Sequence, residues 1–334
     1  MANQRAKKKT PKKRTPRKNA SSKQPSSSWL LRVLVILIFA ALLLCGLYYF
    51  GSFETRAKME RVALTTLNSP RTHGATPASV AKLLDTFYDA IPSSQGLVVE
   101  GGELGRDPAS PFIAGMPRSR QAVRPLLQPS YINLFNERSL QAACIALRLD
   151  DSERQQATAP ESLEVDARIP RLTAAAMTLG KWQPHPIVPP AALIGQQGRR
   201  GASDARLATN YAPMTEAYAT GVWKKTMREF TLRYPQRFGE VWLYLGPVYR
   251  PESAKLDSGI ALPDAFYAIA LDLTEAGGLR ALALLIPTDA EGLNLNDYLT
   301  SIAQIEEITR LQFLPELDFS VRDTLGNYIS PSVW

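Results

Sequence analysis

Gly239-Glu-Val-Trp-Leu-Tyr-Leu-Gly-Pro-Val-Tyr249 reads as a buried strand that ends in a turn. It is a short, nearly continuous apolar run, rich in aromatic and β-branched residues, and closed by Gly246-Pro247. Two more such runs follow. Phe266-Tyr-Ala-Ile-Ala-Leu-Asp-Leu273 and Leu279-Arg-Ala-Leu-Ala-Leu-Leu-Ile286 flank Gly277-Gly278, which predicts a hairpin. Upstream, Tyr131-Ile-Asn-Leu-Phe135 and Ala142-Ala-Cys-Ile-Ala-Leu-Arg-Leu149 are split by Asn136-Glu-Arg138 and predict a second hairpin. Helical patterns fall between and after these runs, over 213–234 and 294–311. Strands and helices mix without a βαβ rhythm. The expected class is therefore α+β, a mixed, largely antiparallel sheet flanked by helices.

The N-terminal part differs in character. The chain of 334 residues carries a formal net charge of +8. Residues 1–28 hold ten Lys or Arg and no acid, and Arg32 makes eleven; 28 basic and 31 acidic residues remain after it. The excess positive charge thus belongs to the tail, and the folded part is mildly acidic. Val33–Phe50 is 18 residues without a charge, with Trp29 in front and Tyr48, Tyr49 and Phe50 behind. This pattern predicts one transmembrane helix over 29–50, preceding the domain. The basic side would face the cytoplasm, and the C-terminal domain the periplasm or exterior. A cleaved signal peptide is an alternative, but no small-x-small site follows the apolar stretch. A lipoprotein box at Leu42–Gly46 is another, with Leu44 a poor fit before Cys45.

The expected division is a disordered basic tail at 1–28, the membrane helix at 29–50, a helical stalk at 51–104, one domain at 105–320 and a C-terminal tail at 321–334. Within the stalk, 52–69 reads as an exposed helix. Residues 77–91 read as a short amphipathic one, with Val80, Leu83, Leu84 and Phe87 near one face. Cys45 lies in the apolar segment and Cys144 in the domain, so the domain holds no internal cystine. Histidine chemistry is confined to His73 and His185. No P-loop, zinc spacing, serine triad or dinucleotide fingerprint is present.

Several pieces of the domain, in order, resemble the DNA/RNA non-specific endonucleases, the ββα-metal or His-Me finger nucleases. Tyr131–Leu149 is similar to that family's first hairpin, and Val165-Asp-Ala-Arg-Ile-Pro170 to the Asp-x-Arg segment after it. Thr209-Asn-Tyr-Ala-Pro-Met214 resembles its Ser-Asn-Met-x-Pro-Gln motif, and Gly221-Val-Trp223 the helix that follows. Leu245-Gly-Pro-Val-Tyr249, Leu262-Pro263, Phe266-Tyr267, Leu285-Ile-Pro287 and Ile305–Leu311 continue the pattern. The resemblance covers roughly residues 112–318.

It implies metal-assisted phosphodiester hydrolysis. A histidine at the end of an Asp-Arg-Gly-His strand takes a proton from water. An asparagine on the next helix binds Mg²⁺, with a glutamate and an arginine in support. Those positions depart here. Trp182-Gln183-Pro184 precedes His185, and aligning on the following proline instead puts Pro186 in the histidine slot. The asparagine slot holds Ala219, the glutamate slot Met227 and the arginine slot Thr231. Ala and Met offer Mg²⁺ no oxygen. The expectation is a degenerate nuclease that binds nucleic acid or an envelope partner without hydrolysis. The alternative is an active Mg²⁺-dependent enzyme rearranged around His185, with Asn210, Glu216 or Glu229 recruited as oxygen ligands. Arg199, Arg200 and Arg206 in a Gly-rich loop, and Lys224 and Arg228 on the helix, are the expected phosphate contacts.

Overall fold

The computed structural model describes residues 27–50, 77, 79–80, 82–84, 97, 99–100, 110–151, 162–273 and 278–334. The chain divides into two units, Met1–Arg56 and Ala57–Trp334. Helix α1 (Ser27–Phe50) belongs to the first. The transmembrane reading of 29–50 is corrected here: among the described residues, no helix is long and apolar enough to cross a membrane. The helix forms, but its uncharged part begins only after Arg32. At about 1.5 Å per residue, Val33 to Phe50 rises about 27 Å, short of a hydrocarbon layer of about 30 Å. The cytoplasmic N-terminus and the extracytoplasmic domain rested on that span and fall with it. The expected disordered tail at 1–28 lies outside the described residues except for its last two.

The second unit is α+β. Its main sheet is antiparallel throughout, in the order β1 (Val99–Glu100), β10 (Gly278–Pro287), β9 (Ala265–Leu273), β8 (Glu240–Val248), β5 (Gln141–Asp150), β4 (Ile132–Asn136), β3 (Arg124–Leu127). Strand β11 (Leu299–Thr300) pairs with β10 off this path. Two small ribbons complete the strands, β2 (Arg118–Ser119) with β12 (Leu311–Gln312), and β6 (Trp182–Pro186) with β7 (Tyr211–Thr215).

The central strands are apolar on both sides because both sides are covered. Along β5, Ile145, Leu147 and Leu149 join one core, and Cys144 and Ala146 the other. Along β8, Leu243 and Leu245 alternate with Trp242 and Tyr244 in the same way. The first core is roofed by helix α2 (Pro190–Gln197) and by α4, a helical run over 216–238. The second is roofed by α5 (Ile302–Thr309), Phe313 and α6 (Phe319–Asn327). Trp242, Tyr244, Phe266 and Tyr267 are buried in these cores.

Gly246, in the Gly-Pro step that ends β8, has a packing reason. A Cβ there would sit 2.6 Å from the Ala143 carbonyl oxygen and 2.9 Å from the Tyr267 hydroxyl. That hydroxyl donates to Ala143 O at 2.8 Å, so strand and hairpin are closed around an absent side chain.

Some expectations shift. The helix expected at 213–234 begins at Glu216, because 211–215 pairs with β6 as strand β7. The helix expected over 294–311 is confined to α5, after a 3₁₀ turn at Leu295–Tyr298. The 321–334 segment carries most of α6, and Trp334 is buried against Tyr234 and Phe238. Strand β1 lies within the segment expected to be a stalk. The helix expected at 52–69 and the Gly277 turn fall outside the described residues. Of 77–91, residues 79–80 and 82–84 are helical.

Candidate functional site

His185 is on a strand, not a loop. Its ribbon register sets Pro184 opposite Pro213 and His185 opposite Ala212. Neither proline can donate, so pairing them wastes no ladder hydrogen bond. The ribbon leads into α4. Thr215 caps its start, with Oγ1 accepting from Tyr218 N at 3.3 Å. Gly239, at φ +78°, follows its end. The segment is thus strand, strand, helix, with a histidine on the first strand.

Helix α4 is not regular. π turns occupy Ala219–Trp223 and Glu229–Arg233. The first contains Gly221 at φ −91°, ψ −110°, outside the helical region. The second precedes Pro235, which lacks an N–H and crowds the carbonyl one turn earlier. These turns decide which residues share a face. Ala219, Trp223, Met227 and Thr231 recur every four residues. In a regular helix each such step drifts about 40°, or about 120° over three. A π turn takes up an extra residue and cancels part of that drift.

The result is one cleft of about 530 Å³ lined by all four, with His185 and Ala192 on the facing wall. The positions assigned by resemblance to the histidine, asparagine, glutamate and arginine therefore converge. The cleft is also mostly apolar: Pro186, Pro189, Ala191 and Leu232 contribute, and Lys224 and Arg228 are its cations.

His185 is half-buried, and its Nε2 lies 3.4 Å from Glu216 Oε2 without a hydrogen bond. Burial pushes the imidazole below its ordinary value, and the Glu216 charge offsets only part of this. Burial therefore favours the neutral ring. Trp223 is 2% exposed, and its Nε1–H has no acceptor.

The remaining candidates separate. Asn210 is a staple, not a ligand: Oδ1 accepts from Val188 N at 3.1 Å, and Nδ2 donates to Val188 O at 2.9 Å. Glu229 is buried, accepts from Arg233 at 3.2 Å, and does not line the cleft. The Gly-rich stretch at 195–206 is helical, with α3 (Arg199–Arg206) following α2 across Gly198. Arg206 pairs with Glu164 at 3.1 Å, and Arg199 and Arg200 are exposed outside the cleft lining. Of the five expected phosphate contacts, only Lys224 and Arg228 reach the cleft.

Asp166 and Arg168 form a two-pronged ion pair, with Nε to Oδ1 at 2.9 Å and a terminal nitrogen to Oδ2 at 2.7 Å. Burial alone would raise the Asp166 pKa, but the Arg168 and Thr209 hydrogen bonds outweigh it and hold the carboxyl below its ordinary value. Thr209 Oγ1 donates to Asp166 Oδ2 at 3.3 Å, and Asn133 Nδ2 donates to Thr209 O at 2.7 Å.

A second cleft, of about 350 Å³, went unread in the sequence. Arg138, Arg250, Lys255 and Arg310 line it, and no carboxylate does. They come from a hairpin turn, a strand end, a loop and the left-handed residue that ends α5. Isolated arginines in four segments carry no motif, so no local signal marked them. The Tyr249 hydroxyl, also in this lining, has no partner.

The donor set at the first cleft does not fit Mg²⁺. Ala219 and Met227 supply no oxygen, and Thr231 Oγ1 is engaged with Met227 O at 2.7 Å. Among the described residues, no three His, Cys, Asp or Glu are grouped to hold a metal ion. No family model matches the chain, and no curated protein matches it.

Proposed function

We propose that the domain is a nuclease-like binding module, a degenerate DNA/RNA non-specific endonuclease that holds nucleic acid without cutting it. One observation carries this reading. Four positions chosen by resemblance alone line a single cleft beside a strand-strand-helix unit, and three of them are Ala219, Met227 and Thr231. Such a cleft can bind, but it lacks the groups that would stabilise a cleaving transition state. The basic cleft supports the nucleic-acid part: four cations without a carboxylate suit a phosphate backbone and read no sequence.

A second reading is favoured by one contact, His185 Nε2 to Glu216 Oε2 at 3.4 Å. A neutral imidazole beside a carboxylate is the arrangement of a general base, which contributes about 10²–10⁴ in rate. On that reading His185 takes the proton from an attacking water, and Glu216 stabilises the imidazolium.

The test uses the purified full chain with plasmid DNA and RNA, in Mg²⁺ and in Mn²⁺, beside His185→Ala. Expected is no cleavage by either protein, with a labelled oligonucleotide retained at low salt and released at high salt. Cleavage by the wild type that His185→Ala abolishes would establish the second reading instead.

A further inference from the structure

The cleft beside His185 is shaped for more than exclusion of a metal. Its volume, about 530 Å³, falls in the range of small-molecule sites, and its walls have the composition of one. Pro186, Pro189, Ala192, Trp223 and Met227 supply most of its apolar lining. Two cations one helical step apart, Lys224 and Arg228, complete it.

Two of the lining residues carry a buried polar atom that makes no hydrogen bond. Trp223 is 2% exposed, and its Nε1–H finds no acceptor. A buried indole N–H ordinarily finds one. His185 Nε2 likewise makes no hydrogen bond in the protein. A ligand that supplies an acceptor to the indole and negative charge to the lysine and arginine would satisfy this inventory, and an apolar body would fill the rest.

We propose that this cleft binds a small phosphate monoester with an apolar or aromatic body. A phosphate dianion matches two cations in charge and offers three acceptor oxygens to the lysine, the arginine and the indole. A carboxylate offers two oxygens and one charge. Arg228 is shared with Glu229, at 3.4 Å, so Lys224 is the stronger anchor. Glu216 opposes an anion, but its side chain is 73% exposed and outside the lining, so water and salt screen it. The inference rests on the non-hydrolysing reading, because a cleft that held its ligand for cleavage would need the polar groups that Ala219 and Met227 replace.

Hexyl phosphate and adenosine monophosphate are the probes, with inorganic phosphate and 1-hexanol as the two halves of the ligand. All four are titrated against the full chain by calorimetry. Hexyl phosphate or the nucleotide should bind at least about tenfold more tightly than either half, and which of the two binds better identifies the source of the phosphate. Lys224→Ala should weaken binding about tenfold or more, and Trp223→Phe, which keeps the ring and removes the N–H, by a similar factor. Lys224 is exposed, so its loss tests the contact without threatening the fold. The proposal is overturned if neither ester binds, if hexanol or inorganic phosphate binds as well as the esters, or if Lys224→Ala binds unchanged. Plasmid cleavage by the same preparation is scored separately and strikes the non-hydrolysing reading, whatever the titration shows.

Discussion

Two regions contain the segments on which the proposed nuclease reading rests, and they differ in how their polar groups are used. Around Asp166 and Asn210, the side chains are tied into hydrogen bonds: Asp166 holds Arg168 and Thr209, and Asn210 holds both backbone groups of Val188. In the cleft a few residues away along the chain, the positions matched by resemblance are Ala219, Met227 and Thr231, and Trp223 and His185 keep nitrogens that make no hydrogen bond. The first region holds the ribbon and helix in place, and its hydrogen bonds are spent on the fold. In the second, Trp223 and Met227 belong to the apolar core as well as to the cleft, so its part in the fold is packing rather than hydrogen bonding.

That contrast can be broken or sharpened by substitution. The largest effect is expected at Asn210. Asn210→Ala strands a buried N–H and a buried carbonyl of Val188 and should cost about 3–5 kcal/mol, read from urea denaturation midpoints. A loss under about 1 kcal/mol would mean that Asn210 is not the staple described. Asp166→Ala comes next. It removes the acceptors of Arg168 and Thr209, but Arg168 remains 38% exposed and can turn to water, so about 2–3 kcal/mol is expected. Neither change should create or abolish ligand binding beyond what unfolding explains.

The cleft should answer differently. His185 is held below its ordinary value by burial. As pH falls through the ordinary imidazole range, the unfolded chain takes up that proton before the folded one does. The stabilisation from keeping the ring neutral is therefore present above that range and lost below it. His185→Gln should flatten this part of the pH–stability curve, and an unchanged curve would show that the ring is not held neutral. The smallest effect on stability is expected at Lys224→Ala, within about 0.5 kcal/mol by thermal melting, because the side chain is exposed. If Lys224 proves as costly to the fold as Asp166, the distinction between the two regions collapses.

How much was legible in advance follows from the range of each signal. The strands β4, β5, β8, β9 and β10 were legible because alternation and turn residues act over a few positions. The start of α4 was not, since Tyr211–Thr215 takes its strand state from a partner nearly thirty residues upstream, and Pro213 reads as a helix start when that partner is out of view. The Arg199–Arg206 segment reads as a loop from its glycines, yet it is helical. Gly201 instead lets α2 and α3 pack: a Cβ there would lie 1.9 Å from the Leu193 carbonyl oxygen. The apolar segment at 33–50 formed its helix, but periodicity and hydropathy alone did not make it a span.

The sequence by itself determined the α+β class and the central hairpins, because each depends on local pattern. Only the tertiary structure decided that His185, Ala219, Met227 and Thr231 line one cleft, since the alignment of the three helix residues required two π turns, one at Gly221 and one ahead of Pro235, whose effect on helical phase is cumulative. Only it decided that Arg138, Arg250, Lys255 and Arg310 form a cleft, and that Asn210 is a staple. Each of these is a contact between residues distant in the chain, and local physical chemistry carries no record of such contacts until the chain has closed upon itself.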